Sequence, residues 1–250
     1  MVGGAPDPRS RRESTLTTWR APGRYVPTNS SKAGLVDETR AFFGAYRRLG
    51  DTAEALRWLV AGGLPQRSRA TRQTIARVIA TRLTSWRPPR WVLDDLADFA
   101  ADADPTALRA ALLLHLARQD ALLYDFVQGA IAPRWASGER GVSRADVQRF
   151  LDAAQPEHPE IERWTHGTRE KLAGNVLTIL RDCGLLRGGT RTTGKEIVEP
   201  AVPPAVADHL ARLLEAEGVP RSAVPDHPDW HLWLFGTRRA AAALGQAVAG

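Results

Sequence analysis

The chain has 250 residues, 43% apolar and 25% charged, enough to bury one large core or two modest ones. Its 34 basic and 28 acidic side chains leave a formal charge of +6, a balance that suits a nucleic-acid partner without requiring one. A single cysteine excludes an intramolecular disulfide framework, and the longest apolar stretch, Ala110 to Ala117, is broken by His115 and far too short to cross a bilayer. With no signal-like start, these features point to a cytoplasmic protein without a membrane partner.

Residues 1–34 combine Pro, Gly, Ser and Thr with six basic side chains against Asp7 and Glu13, and read as a basic flexible arm. Trp19, beside Arg20 in that arm, is the one tryptophan of the eight with a claim to stack on a base. From Leu35 the pattern is helical. Thr39, Phe42, Phe43 and Tyr46 share one face of a helix closed by Leu49-Gly50, and Asp51 caps a second helix that Gly62-Gly63 stops.

A third helix spans about 68–86, with Ile75, Val78, Ile79, Leu83 and Trp86 on its buried side. Between Leu64 and Arg90 there are seven arginines and no acid, whereas Trp91 to Ala130 holds seven aspartates against Arg109 and Arg118. Arg67, Arg69 and Arg77, at the start or on the outer face of the third helix, are candidate phosphate contacts. Arg72 and Arg82 flank the apolar stripe and are read as snorkelling or paired with Asp37, Glu38 or Glu54. Trp58 and Trp86 fall on buried faces.

Helices follow at about 91–101, 105–117 and 120–132. The middle one is apolar nearly all round and belongs at the centre of an N-terminal bundle, with His115 a core histidine. The aspartates from Asp94 to Asp104 form a solvated face rather than a metal set. No P-loop, paired CxxC, activated nucleophile or convergent acid set is present, so the chain reads as neither enzyme nor cofactor protein.

The segment 143–200 carries the strongest functional signal. Ser143 and Asp146 open a helix with Val147, Phe150 and Leu151 on one face, and Trp164 precedes a second helix opening at Thr165. Leu172, Val176, Ile179, Leu180 and Cys183 make its buried stripe. The opposite face carries Lys171, Gly174, Thr178 and Arg181, with Thr168 at the helix start and Arg169 nearer the buried flank. Gly174 costs about 1 kcal/mol of helix stability against alanine, which a close approach of another backbone would explain. Arg187 to Lys195 then Ile197-Val198 reads as a short β-ribbon with Arg191 and Lys195 near a basic tip. This is the order of a winged helix-turn-helix, whose second helix enters the major groove; the same geometry also serves dimerisation and interaction domains. Further on, Pro225 to Phe235 reads as a turn docking Trp230, Trp233 and Phe235, in preference to a metal site around His227.

The arrangement from about Lys32 to Pro204 resembles the BrxA family of BREX phage-defence islands. The resemblance rests on Leu35-Val-Asp-Glu-Thr-Arg40, the Gly50-Asp51 junction, and Leu64 to Arg72 leading into Ile79 to Leu83. It continues in Ala145 to Leu151, Trp164 to Leu172, Leu185-Leu186 and the exit Pro200 to Pro204. It implies a mainly α protein of two helical bundles, similar in part to an RNA-binding antitermination protein, that binds DNA beside the BREX methyltransferase and other components and has no catalytic activity.

The chain is therefore expected to comprise the arm 1–34, an N-terminal bundle 35–138 and a C-terminal domain 139–250 containing the winged unit. It is expected to bind double-stranded DNA largely without sequence preference. Two rivals stay open: a scaffold docking onto the methyltransferase or another BREX protein, and RNA binding of the antitermination kind.

Overall fold

A computed structural model describes residues 23–27, 33–189 and 194–245. Trp19, Arg191 and most of the N-terminal arm lie outside the described residues. The chain is mainly helical, with one small antiparallel sheet.

Helix α1 (Val36–Leu49) buries Phe42, Phe43 and Tyr46, and places Asp37 and Glu38 in its first turn and Arg47 and Arg48 in its last, the charge order a helix dipole favours. Gly50 ends it at φ 73, its N–H bonded to Tyr46 O, a left-handed cap that glycine adopts without penalty. Asp51 Oδ1 accepts from Glu54 N at 2.8 Å and so starts α2 (Thr52–Trp58), which widens into a π turn at Leu59–Gly63.

Helix α3 (Arg69–Leu83) is capped by Ser68 and stops three residues short of Trp86. The N–H groups of Thr84 and Ser85 both turn back onto Ala80 O, and the left-handed Arg87 at φ 56 leads out. Helices α4 (Arg90–Ala101), α5 (Thr106–Arg118) and α6 (Ala121–Phe126) follow, and α6 runs through a π turn (Val127–Ile131) into α7 (Ala132–Ala136). Helix α5 is buried on all sides from Ala110 to Arg118.

Next come strand β1 (Gly141–Ser143), helix α8 (Arg144–Ala154), a 3-10 turn (Pro159–Arg163), helix α9 (His166–Asp182), and strands β2 (Leu186–Arg187) and β3 (Gly194–Ile197). The ribbon expected after the second helix is present, and β1, absent from the sequence reading, completes a sheet of order β1-β3-β2. Val142 stands opposite Lys195 and Leu186 opposite Ile197. Asp146 fixes the turn from β1 into α8: its Oδ2 accepts from Ser143 N at 2.7 Å and Ser143 Oγ at 2.6 Å, and Arg134 and Arg149 pair with Oδ1. Burial opposes ionisation, but these donors outweigh it and hold the carboxyl below its usual range. Asp146→Ala should therefore cost about 1–2 kcal/mol of unfolding free energy, read by urea denaturation.

Helix α10 (Pro204–Ala216), two 3-10 turns (Arg221–Asp226 and Pro228–Trp233) and α11 (Thr237–Ala243) complete the fold. Both α10 and the second 3-10 turn pack on α5, where Trp233 Nε1 donates to Ala110 O at 3.1 Å. Trp230, Trp233 and Phe235 are buried as expected, and the apolar residues form one continuous core.

Two polar assemblies pierce that core. The first runs from Asp95 Oδ2 to His209 Nδ1 at 2.8 Å, then between the Nε2 atoms of His209 and His115 at 2.9 Å. His115 is thus a satisfied core histidine whose partner lies on α10. Burial, then the electrostatic influence of His209 and Arg118, lower its affinity for a proton well below the ordinary value of 6.5. The second is Arg118, whose guanidinium meets Glu217 and Asp229 with all three side chains buried. Tyr124 donates its hydroxyl to Asp229 at 2.9 Å.

A histidine kept neutral in the fold binds fewer protons than in the unfolded chain, so its contribution to stability is intact above pH 6.5 and falls as the pH drops below it. The slope reaches at most about 1.4 kcal/mol per pH unit. Asp120, whose carboxyl burial pushes up to about 6, acts in the opposite sense, since the fold then holds a proton the unfolded chain has released. Comparison with His115→Gln isolates the histidine: the stability advantage of wild type over this variant should shrink between pH 7 and 5 in denaturant titrations.

Two details correct the sequence reading. Arg72 and Arg82 have structural roles, but towards backbone carbonyls: Arg72 reaches Val60 O at 2.9 Å and Gln66 O at 2.7 Å, and the buried Arg82 reaches Ala33 O at 2.9 Å. Trp58 is 36% exposed, lying against Gly63 with the Arg48 guanidinium 4.8 Å from its ring.

Candidate nucleic-acid interface

Helix α9 presents the candidate face. Leu172, Ala173, Val176, Leu177, Ile179 and Leu180 are buried, which turns Lys171, Gly174, Thr178 and Arg181 toward the other side. Thr165 caps the helix by accepting from Thr168 N at 3.2 Å, and the two hydroxyls are 2.9 Å apart. Thr168 therefore sits at the helix start, and Lys171 is exposed one turn further on.

Arg144, the first residue of α8, joins this face. A Cβ built on Gly174 would lie 3.3 Å from Arg144 Nη2, so the close approach anticipated at this glycine is made by a guanidinium rather than by backbone. Arg144 is exposed and has no ion pair among the described residues. The sequence reading missed it because Arg144 and Gly174 are far apart in the chain; the only local hint is its place beside the Ser143 cap.

Arg181 is close enough that it and Arg144 both bear on Lys195: burial first, then these two charges, lower the Lys195 ammonium below its ordinary value. Arg144 thus reaches α9 at Gly174, and Lys195 on β3 stands opposite Val142, two residues before Arg144. Asp182 pairs with Arg181 at 2.7 Å and accepts from Gly34 N at 3.0 Å.

Other candidates are placed differently. Lys195 is buried and its ammonium donates to Gly189 O, so it braces the ribbon instead of projecting from its tip. Arg169 spans to Asp152 at 2.8 Å and Gln155 at 2.9 Å, tying α9 to α8. Thr178 Oγ1 donates to Gly174 O at 2.8 Å within its own helix. At the ribbon, Arg187 is paired across the strands with Glu196 at 2.8 Å.

Arg67, Arg69 and Arg77 are exposed, Arg67 just before α3 and the other two on it. The chain at Ala33–Gly34 bonds Arg82 on α3 and Asp182 on α9, and Arg69 lies about 20 Å back along α3 from Arg82.

The acids weighed as metal ligands are engaged elsewhere. Asp94 accepts from Tyr46 at 3.1 Å, Asp98 pairs with Arg47 at 3.2 Å, and Asp229 is held by Arg118 and Tyr124. Cys183 is buried, and burial followed by the Asp182 charge pushes its thiol up to about 12. Among the described residues no helix is long and apolar enough to cross a membrane.

Comparison with known proteins adds to this geometry. A solved structure of an uncharacterized protein from Magnetospirillum magneticum superimposes with a TM-score of 0.61 at 18% identity, covering 78% of this chain and 95% of that one, which shows a shared fold. The BREX protein BrxA of Bacillus cereus (strain H3081.97) is 24% identical over 123 residues, 49% of this chain. The alignment spans 60% of that relative's length. The model of the BrxA family matches residues 24–213, the greater part of the sequence, and the chain therefore belongs to the BrxA family.

Proposed function

We propose that this protein is a non-enzymatic accessory factor of a BREX phage-defence system that binds double-stranded DNA largely without sequence preference. The observation that carries the reading is the exposed face of α9, where Lys171, Gly174 and Arg181 recur at helical spacing and Arg144 of α8 reaches Gly174. The order β1, α8, α9, β2, β3 supports a winged-helix reading, in which the second helix of the pair lies in the major groove and the ribbon flanks it.

Duplex DNA suits this face better than duplex RNA, whose major groove is too narrow and deep to admit an exposed helix. Phosphates would be met by Lys171, Arg144 and Arg181 and by the N-terminus of α9, with Thr178 on the groove side. The engagement of the candidate acids in ion pairs and hydrogen bonds supports a role without catalysis.

The test is fluorescence anisotropy with a random duplex across a salt series. Neutralising roughly three phosphates predicts an affinity loss of about fortyfold between 50 and 200 mM salt. Binding that hardly responds to salt, or a preference for structured RNA over the duplex in competition, would contradict the reading.

A further inference from the structure

A second built surface lies on the N-terminal helices. Helix α2, its π turn and helix α3 enclose a groove of about 430 Å³. Leu56, Val60 and Ala76 line it with partly or fully buried side chains, and the exposed Arg57, Arg69 and Arg77 stand around them. Among the described residues no carboxylate lines the groove; Arg57 lies 3.6 Å from Glu54 in an exposed pair. Arg69 and Arg77 make no ion pair among the described residues.

The groove is held open before anything binds. Arg72 anchors the π turn and the loop after it through Val60 O, Gln66 O and Arg67 O, and Trp58 lies where a Cβ on Gly63 would be. A preformed site loses little conformational entropy on binding. Ala76 and Ala80 allow another backbone to come close to α3.

We infer that this groove docks an acidic amphipathic helix of a protein partner, goes beyond the DNA-binding face, and is independent of it. Charge complementarity selects that occupant. An apolar floor rewards leucine-like anchors at helical spacing, and the three arginines reward carboxylates flanking them. A nucleic-acid backbone would satisfy the arginines and leave the floor without a partner.

The test uses the full chain and a fluorescein-labelled helical peptide of about four turns, with leucines on one face and glutamates flanking them. A lysine-for-glutamate version serves as control. The acidic peptide should bind with a Kd on the order of tens of micromolar, and the basic one should not. Arg69→Glu/Arg77→Glu should weaken binding at least tenfold and leave the thermal melt unchanged, since both side chains are exposed. Ala80→Trp, filling the groove without altering charge, should do the same while keeping wild-type affinity for duplex DNA.

Four results would overturn the proposal. One is absence of peptide binding up to about 1 mM. A second is binding indifferent to the arginine reversals. A third is displacement of the peptide by duplex DNA, which would assign these arginines to phosphates. The fourth is self-association of the wild type that Arg69→Glu/Arg77→Glu abolishes, which would make the occupant a second copy of the chain. Failure of DNA binding at the α9 face would leave the peptide result untouched, so the two readings fail separately.

Discussion

Replacing Arg118 with methionine is expected to lower the free energy of unfolding by about 3–5 kcal/mol, the range for breaking a buried ion pair from one side. The guanidinium holds Glu217 from the end of α10 and Asp229 from the following 3-10 turn, and all three side chains are buried. Without it two carboxylates remain in the core, with Tyr124 at Asp229 among the donors still in place. The same assembly fastens the C-terminal segment to α5, so the loss extends to Trp230 and Trp233. In a chain of this size the effect corresponds to a Tm lower by roughly 6–20 °C. Adding Glu217→Gln and Asp229→Asn to Arg118→Met should recover part of it, because the stranded charges are removed. A single variant as stable as wild type in urea would show that the triad contributes nothing net.

The second large effect concerns binding. Arg144→Glu/Lys171→Glu should weaken affinity for a random duplex about a hundredfold near 100 mM salt, at about 1.4 kcal/mol for each reversed charge. Both side chains are exposed and without an ion pair among the described residues, so the fold should be unaffected. Arg221→Glu is the control: it removes an equally exposed arginine, which lies 3.7 Å from Glu215 at the far end of α10, and should change affinity less than twofold. Equal losses in the two proteins would point to net charge rather than to the α9 face.

Local signals in the sequence were read where physics is local. The Gly50 cap, the Asp51 cap and the Ser143-Asp146 start depend on residues within a few positions of one another, and each helix begins or ends where they stand. The buried stripe of α9 followed from periodicity alone. Long-range pairings were not legible. Strand β1 is three residues long and exists by pairing with β3, so no alternation marks it. His115 meets His209, and Arg118 meets Glu217 and Asp229, only because α10 and the aromatic turn fold back onto α5.

Helix α10 carries a local signal in the sequence: Pro204 at its first turn and Val206, Leu210, Leu213 and Leu214 on one face. At the candidate site, Lys171, Thr178 and Arg181 came from the helical wheel. Arg144 did not, because its proximity to Gly174 is a property of how α8 crosses α9. Composition alone places Lys195 near the ribbon tip, whereas its register position opposite Val142 turns it into the sheet.

The most direct test of DNA binding through the α9 face is the slope of log affinity against log salt, measured for wild type and Arg144→Glu/Lys171→Glu on the same random duplex. Each lost phosphate contact should lower the slope by about 1, so the variant is predicted to differ by about 2. Identical slopes and affinities in the two proteins would contradict it.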